Sequence, residues 1–199
     1  MQAELTHPFL LRCIDPEALL EGVSKFSTFD SRMKKQAKKY AKGDNDKEQE
    51  YKGWAFELFV EMLVKSSALD KRVGISNYQL VEEDEDTGVD GFGVGINGKA
   101  ATVQAKYRQA NYVLTANNDH LSNFVTASQN RYGVDVSDES NMLIVTSGKE
   151  LHYFTKEQML CGKVRCLNRE QIRVMVDKNV AFWNAFRASW DAALEEANV

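Results

Sequence analysis

Hydrolysis of a phosphodiester calls for an acid, a second oxygen donor and a cation close to one phosphate. The middle of this chain supplies that mix in Asp90, then Gln104 and Lys106 two positions apart, with Glu57 upstream. A carboxylate and a carbonyl-type oxygen can hold a hard Mg²⁺ that keeps several waters, with Mn²⁺ as a substitute, and the ion acidifies water and neutralises phosphate charge. A lysine two residues from an amide shares its face of a strand. There it can position or deprotonate the attacking water, or stabilise the pentavalent transition state. Asp90 and Gln104 are therefore candidate metal ligands. Lys106 is the candidate group that positions or activates the nucleophile. Glu57 is a candidate to bind or orient the same ion, directly or through water.

These residues need a hairpin and a preceding helix to bring them together. Thr87 to Arg108 reads as a β-hairpin: Asn97-Gly98 matches the two-residue turn that requires positive φ, and Val103, Ala105 and Tyr107 alternate with Gln104, Lys106 and Arg108. A regular two-residue loop pairs Ile96 with Lys99 and Phe92 with Val103, so Phe92, Val94 and Ile96 join Val103 and Ala105 on the core side. Strict alternation would then carry Asp90 away from Gln104 and Lys106. A buried, unpaired carboxylate is too costly, so a break in pairing is expected between Asp90 and Phe92, at Gly91. An odd-length loop would also turn Asp90 to the right face, at the expense of the pairing of Phe92 with Val103.

Upstream, Ala55, Leu58, Phe59, Met62 and Leu63 follow the helical period between Tyr51 and about Ser66, with Glu57 and Glu61 on another face; there Glu61 can pair with Lys65. The first fifty residues also read as helical. Asp15-Pro16 is an N-cap and first-turn pair, Asp30 can cap a second segment ending at Gly43, and Gly43 to Glu48 is a hinge candidate. Tyr78 to Val81, Asn141 to Ser147 and Val164 to Leu167 read as strands. Leu121 to about Gly133, Arg169 to Asp177 and about Val180 to Ala197 read as helices. In the last, Phe182, Trp183, Phe186 and Trp190 form a core stripe, with a dimer face as the alternative.

The 199 residues, 43% apolar and 27% charged with 2 Pro and 12 Gly, suit an ordinary globular domain and exclude collagen, repeat arrays and disorder. No apolar run nears the roughly 18 to 20 residues of a membrane span, and Met1-Gln-Ala-Glu-Leu-Thr-His7 lacks a basic start followed by an apolar stretch, so export is not expected. An odd set of cysteines, Cys13, Cys161 and Cys166, suggests reduced thiols and a cytoplasmic protein. Together with His152 they lack zinc-site spacing, and His7, His120 and His152 make no histidine nuclease cluster. The glycines from Gly91 to Gly95 precede a strand and turn, unlike a nucleotide-binding loop. A net charge of -4 excludes a binder that coats nucleic acid by bulk charge. The charge is segregated instead. Arg32, Lys34, Lys35, Lys38, Lys39 and Lys42 cluster without an acid, and Glu82, Glu83, Asp84, Glu85, Asp86 and Asp90 form an acidic run. Helical spacing gathers Lys34, Lys35, Lys38, Lys39 and Lys42 into a candidate phosphate-gripping arm, with a solvated face as the plain alternative.

The ordered set of Lys52-Gly-Trp-Ala-Phe-Glu57, Gly88-Val-Asp-Gly91, Val103-Gln-Ala-Lys-Tyr107 and Leu143-Ile-Val-Thr-Ser-Gly148 resembles the PD-(D/E)xK nuclease superfamily. Within it, the likeness is to the Mrr-like restriction endonucleases and nuclease modules attached to restriction helicases, in which glutamine replaces the usual acid of the strand motif. It runs from about residue 50 to 180. It implies an α/β fold of restriction endonuclease type, with a mixed central sheet flanked by helices over residues 51–199, behind a helical extension at 1–50. It also implies a Mg²⁺-dependent DNA endonuclease with Glu57, Asp90, Gln104 and Lys106 in its site. Lys34, Lys35, Lys38, Lys39, Lys42 and Arg108 would bind DNA. One site cuts one strand, so a monomer would nick, and double-strand cleavage would take a homodimer or a second binding event. A helicase or other nucleic-acid-processing protein is a candidate partner. The competing expectation is a non-catalytic nucleic-acid-binding or interaction protein that keeps the nuclease fold.

Overall fold

The computed structural model describes residues 3–66, 69, 73–81, 88–135, 137, 141–152 and 164–197. Packing divides the chain into two units, residues 1–69 with 172–199 and residues 70–171. Among the described residues no helix is long and apolar enough to cross a membrane.

The first unit is helical, with α1 (Phe9–Arg12), α2 (Pro16–Leu20), α3 (Phe26–Ala41), α4 (Asn45–Lys65) and, from the far end of the chain, α7 (Val180–Ala197). Asp15 caps α2 as its sequence suggests, its carboxylate accepting from Ala18 N–H at 2.9 Å with Pro16 in the first turn. Asp30 does not cap a helix. It lies a full turn inside α3, which begins at Phe26 because the N–H of Phe26 donates to Asp177, remote in sequence, at 2.8 Å. The hinge candidate at Gly43 is a tight joint instead. Lys42 and Gly43 take positive φ, and Asp44 caps α4 by accepting from the N–H groups of Asp46 and Lys47. Phe26, Phe29 and Phe59 meet Trp183 and Phe186 of α7 in a fully buried aromatic core. The α7 stripe, with Phe182 and Trp190, is thus core.

The second unit is a mixed α/β layer. Strands β1 (Ile75–Leu80), β2 (Gly91–Gly95), β3 (Ala100–Lys106), β5 (Met142–Thr146) and β7 (Val164–Leu167) form a sheet in the order β1-β2-β3-β5-β7. The first three run antiparallel, and β3, β5 and β7 run parallel. Short strands β4 (Val113–Leu114) and β6 (Glu150–Leu151) pair separately in parallel. Helix α5 (Leu121–Asn130) covers one face of the sheet, where Phe124 and Val125 pack with Met142 and Ile144 and where the Thr102 and Ser128 hydroxyls meet at 2.7 Å. Helix α6 (Arg169–Val176) follows β7.

The hairpin register differs from the expectation by one residue. Gly98 N–H donates to Gly95 C=O at 3.0 Å, Gly95 N–H donates to Lys99 C=O at 2.9 Å, and only Gly98 of the turn has positive φ. This is a three-residue loop, a type I turn closed by a left-handed glycine, instead of a two-residue turn with both residues at positive φ. The shift pairs Gly91 with Val103 and Phe92 with Thr102. Phe92 therefore leaves the Val103 side and packs at a tilt against Tyr132, while Ile96, expected in the core, is 75% exposed. Strand β3 is also buried on both faces, Thr102 and Gln104 as completely as Val103, because α5 covers the face on which Gln104 was expected to sit open.

Candidate functional site

Strand β2 begins at Gly91, and Asp90 sits at its lip. Asp90 N–H donates to Val103 C=O at 3.0 Å, and its C=O accepts from Val81 N–H at 3.1 Å. Its side chain then does what a backbone carbonyl would do in a regular ladder: Oδ2 accepts the N–H of Ala105 at 2.5 Å. The ladder thus departs from regular pairing at Asp90-Gly91, the place expected for a break, although it reaches that point from the shifted register. Ala105 lies between Gln104 and Lys106, so the carboxylate is held within one residue of both.

Gln104 is 1% exposed, and its side chain lies under the N-terminal turn of α5. A Cβ added at Gly88 would stand 3.3 Å from Gln104 Nε2 and 3.4 Å from the N of Phe124. Its Oε1 is buried and has no hydrogen-bond partner among the described residues. An acceptor left so costs about 1–3 kcal/mol unless a ligand atom meets it. Lys106 is half-buried at the end of β3, where its C=O accepts from Thr146 Oγ1 at 2.8 Å and from Ser147 N–H, so β5 fixes the backbone that carries it.

Gly91 explains itself through Tyr78, which the sequence reading missed. A Cβ at Gly91 would fall 2.2 Å from the Tyr78 hydroxyl oxygen and 2.3 Å from its Cζ, so the phenol crosses the strand where only glycine leaves room. Glycines at 91, 93 and 95 lie on one face of a strand, and that alternation was the available signal that something approaches closely there.

Glu57 and Glu61 belong to the first unit and have different surroundings. His7, 5% exposed, accepts from Phe9 N–H at Nδ1, which leaves the proton on Nε2 to donate to Glu57 Oε2 at 3.1 Å. The other carboxylate, Glu61, is fully buried. It receives Thr6 N–H and Oγ1–H at 2.9 Å each, His7 N–H at 3.1 Å and Lys65 Nζ at 2.8 Å. It staples residues 6–7 onto α4, a contact no local pattern announces. Glu61→Ala should therefore cost about 3–5 kcal/mol, since a buried partner is removed from several donors, while half-exposed Glu57→Ala costs about 1 kcal/mol or less. Urea unfolding midpoints of the two variants check this, and equal midpoints would contradict it.

The basic residues separate. Lys34 Nζ donates to the buried Asp30 carboxylate at 3.0 Å, and Lys38 lies close enough to Glu48 to help hold its carboxyl below the usual range, second to Lys52. Lys35, Lys39 and Lys42 are exposed. Arg108 is committed to Asp119, fully buried, through Nε at 2.8 Å and Nη2 at 2.7 Å, and it also stacks on Tyr112. Residues 82–86 and Cys161 lie outside the described residues. Cys13 is half-buried beside Tyr51, and burial pushes its thiol up.

Asp90 and Gln104 contribute oxygens of the type that ligates an ion keeping most of its waters, as Mg²⁺ does, and are too few for a fully protein-ligated metal, but Gln104 Oε1 is buried under α5. Among the described residues no group of three or more His, Cys, Asp or Glu could hold a metal. Comparison of the chain with protein-family models, curated proteins and solved structures yields no match.

Proposed function

We propose that this chain is a Mg²⁺-dependent DNA endonuclease with a restriction endonuclease-like fold. The observation that carries the reading is the Ala105 N–H bond to Asp90 Oδ2, which holds a carboxylate beside the strand positions of Gln104 and Lys106. The mixed sheet supports it, with β5 parallel to the Gln-x-Lys strand and followed by a short strand and helix in the order the resemblance implies.

In this reading Asp90 and the unmet Oε1 of Gln104 would hold Mg²⁺, which when bound would acidify a coordinated water and offset phosphate charge. Lys106 Nζ would orient the attacking water and stabilise charge growing on the phosphate oxygens. Glu57 keeps the role that its residue type and the resemblance suggest, with His7 bonded to its carboxylate.

Supercoiled plasmid incubated with the purified chain and Mg²⁺ should become nicked or linear. EDTA should stop the conversion, and Lys106→Ala should slow it by about 100-fold or more. Full activity of Lys106→Ala would remove the mechanism. A second reading, a non-catalytic nucleic-acid-binding or interaction protein that keeps the nuclease fold, is favoured by the burial of Gln104 and its Oε1 under α5. It predicts retained plasmid at every Mg²⁺ concentration together with a gel shift.

A further inference from the structure

Helix α3 carries a set of cations that the ion pairs above leave aside. Arg32, Lys35 and Lys39 follow one another at helical spacings of three and four and line a cavity of about 290 Å³ in the first unit, opposite Asp15 and Glu21 at the ends of α2. The volume is at the small end of ligand clefts, which run from roughly 300 Å³ upward.

The cavity is built rather than incidental. Its floor is Gln36, 4% exposed, with both ends of its amide bound: Nε2 donates to Asp15 C=O at 2.6 Å, and Oε1 accepts from the Tyr51 hydroxyl at 2.7 Å. Arg32 Nη1 donates to Glu21 C=O, which fixes the guanidinium at the rim. Of the two acids, Asp15 already accepts from Ala18 N–H as the helix cap, and Glu21 is exposed to water. An arginine fork and two lysine point charges around a small, half-open hollow match a group with several charged acceptor oxygens better than a single carboxylate.

We propose that this cavity binds one phosphate group, either a phosphodiester of the nucleic-acid backbone or the phosphate of a free nucleotide. Arg32, Lys35 and Lys39 are its ligands, and Lys34 and Lys38 are not. The site depends on the endonuclease reading only for the source of the phosphate.

Two double variants that remove the same charge test it. Lys35→Gln/Lys39→Gln empties the cavity of lysine, and Lys25→Gln/Lys47→Gln takes two exposed lysines from elsewhere in the same unit. Glutamine keeps helix propensity, and circular dichroism reports folding of both. Anisotropy of a fluorescein-labelled 20-base-pair duplex should show the cavity variant bound about tenfold more weakly than wild type, with a salt slope lower by roughly 2, and the control within about threefold. Backbone amide shifts of residues 15–21 and 32–39 on adding AMP supply the second arm. A wild-type chain that ignores the duplex but shifts these amides with AMP, and loses the shifts in the cavity variant, supports the site and removes the DNA reading. Equal weakening of duplex binding by both variants, or no duplex binding, together with no AMP shifts, would overturn the proposal.

Discussion

Asp90→Asn is expected to slow plasmid cleavage by about three orders of magnitude or more while moving the thermal midpoint by no more than roughly 2–4 °C. The asparagine oxygen can still accept the Ala105 N–H that Asp90 Oδ2 takes at 2.5 Å, so the end of the ladder keeps its bond and only the charge is lost. A neutral amide oxygen pair is a far weaker partner for Mg²⁺ than a carboxylate with an amide. Asp90→Ala should add a stability loss of about 1–3 kcal/mol, because Ala105 N–H, on a residue 7% exposed, is left without its acceptor. Single-turnover cleavage at saturating protein and Mg²⁺, read beside thermal unfolding, separates the two effects. If Asp90→Asn cleaves at the wild-type rate, Asp90 serves the ladder alone and the metal site is elsewhere or absent.

Gly91→Ala should be among the most damaging small substitutions in the chain. The new methyl would stand 2.2 to 2.4 Å from three atoms of the Tyr78 phenol, a ring 6% exposed that has little room to swing away. Overpacking of this kind costs about 1–3 kcal/mol or more, and it should also displace Asp90, the preceding residue in the chain. The expected outcome is a midpoint lowered by several degrees together with a loss of cleavage. Tyr78→Ala in the same chain should return part of the stability, because it empties the space the methyl needs, so the pair should be strongly non-additive. Additive losses in denaturant unfolding would show that the phenol is not what excludes a side chain at 91.

Local pattern was enough for most elements. The Asp15-Pro16 cap, the helical period from Tyr51 onward, the apolar run of β5 and the Phe182 to Trp190 stripe all appear at or near the places their residues dictate, since caps, periodicity and apolar runs act within one or two turns of chain. The four candidate site residues were legible as types with a chemistry and a spacing, whereas the bond of Lys34 to Asp30 was not, Asp30 having been read as a cap.

Register and burial were not legible, because they depend on partners far away in sequence. Ile96-Asn-Gly98 fits a two-residue or a three-residue loop equally well by composition. The choice follows from the sheet as a whole, in which β1 lays Tyr78 across Gly91 and Asp90, just before β2, takes the Ala105 N–H. Asp30 reads as a cap until Asp177, in the far part of the chain, satisfies the N-terminus of α3 one turn earlier. Glu61 reads as a surface glutamate until Thr6 and His7 fold onto it, and Gln104 as an open donor until α5 covers it. What the residues alone determined was which segments are helix or strand and which side chains could do chemistry. The tertiary structure alone decided which polar groups are buried and to whom they bond, because the cost of an unpaired buried group is settled only once distant segments meet.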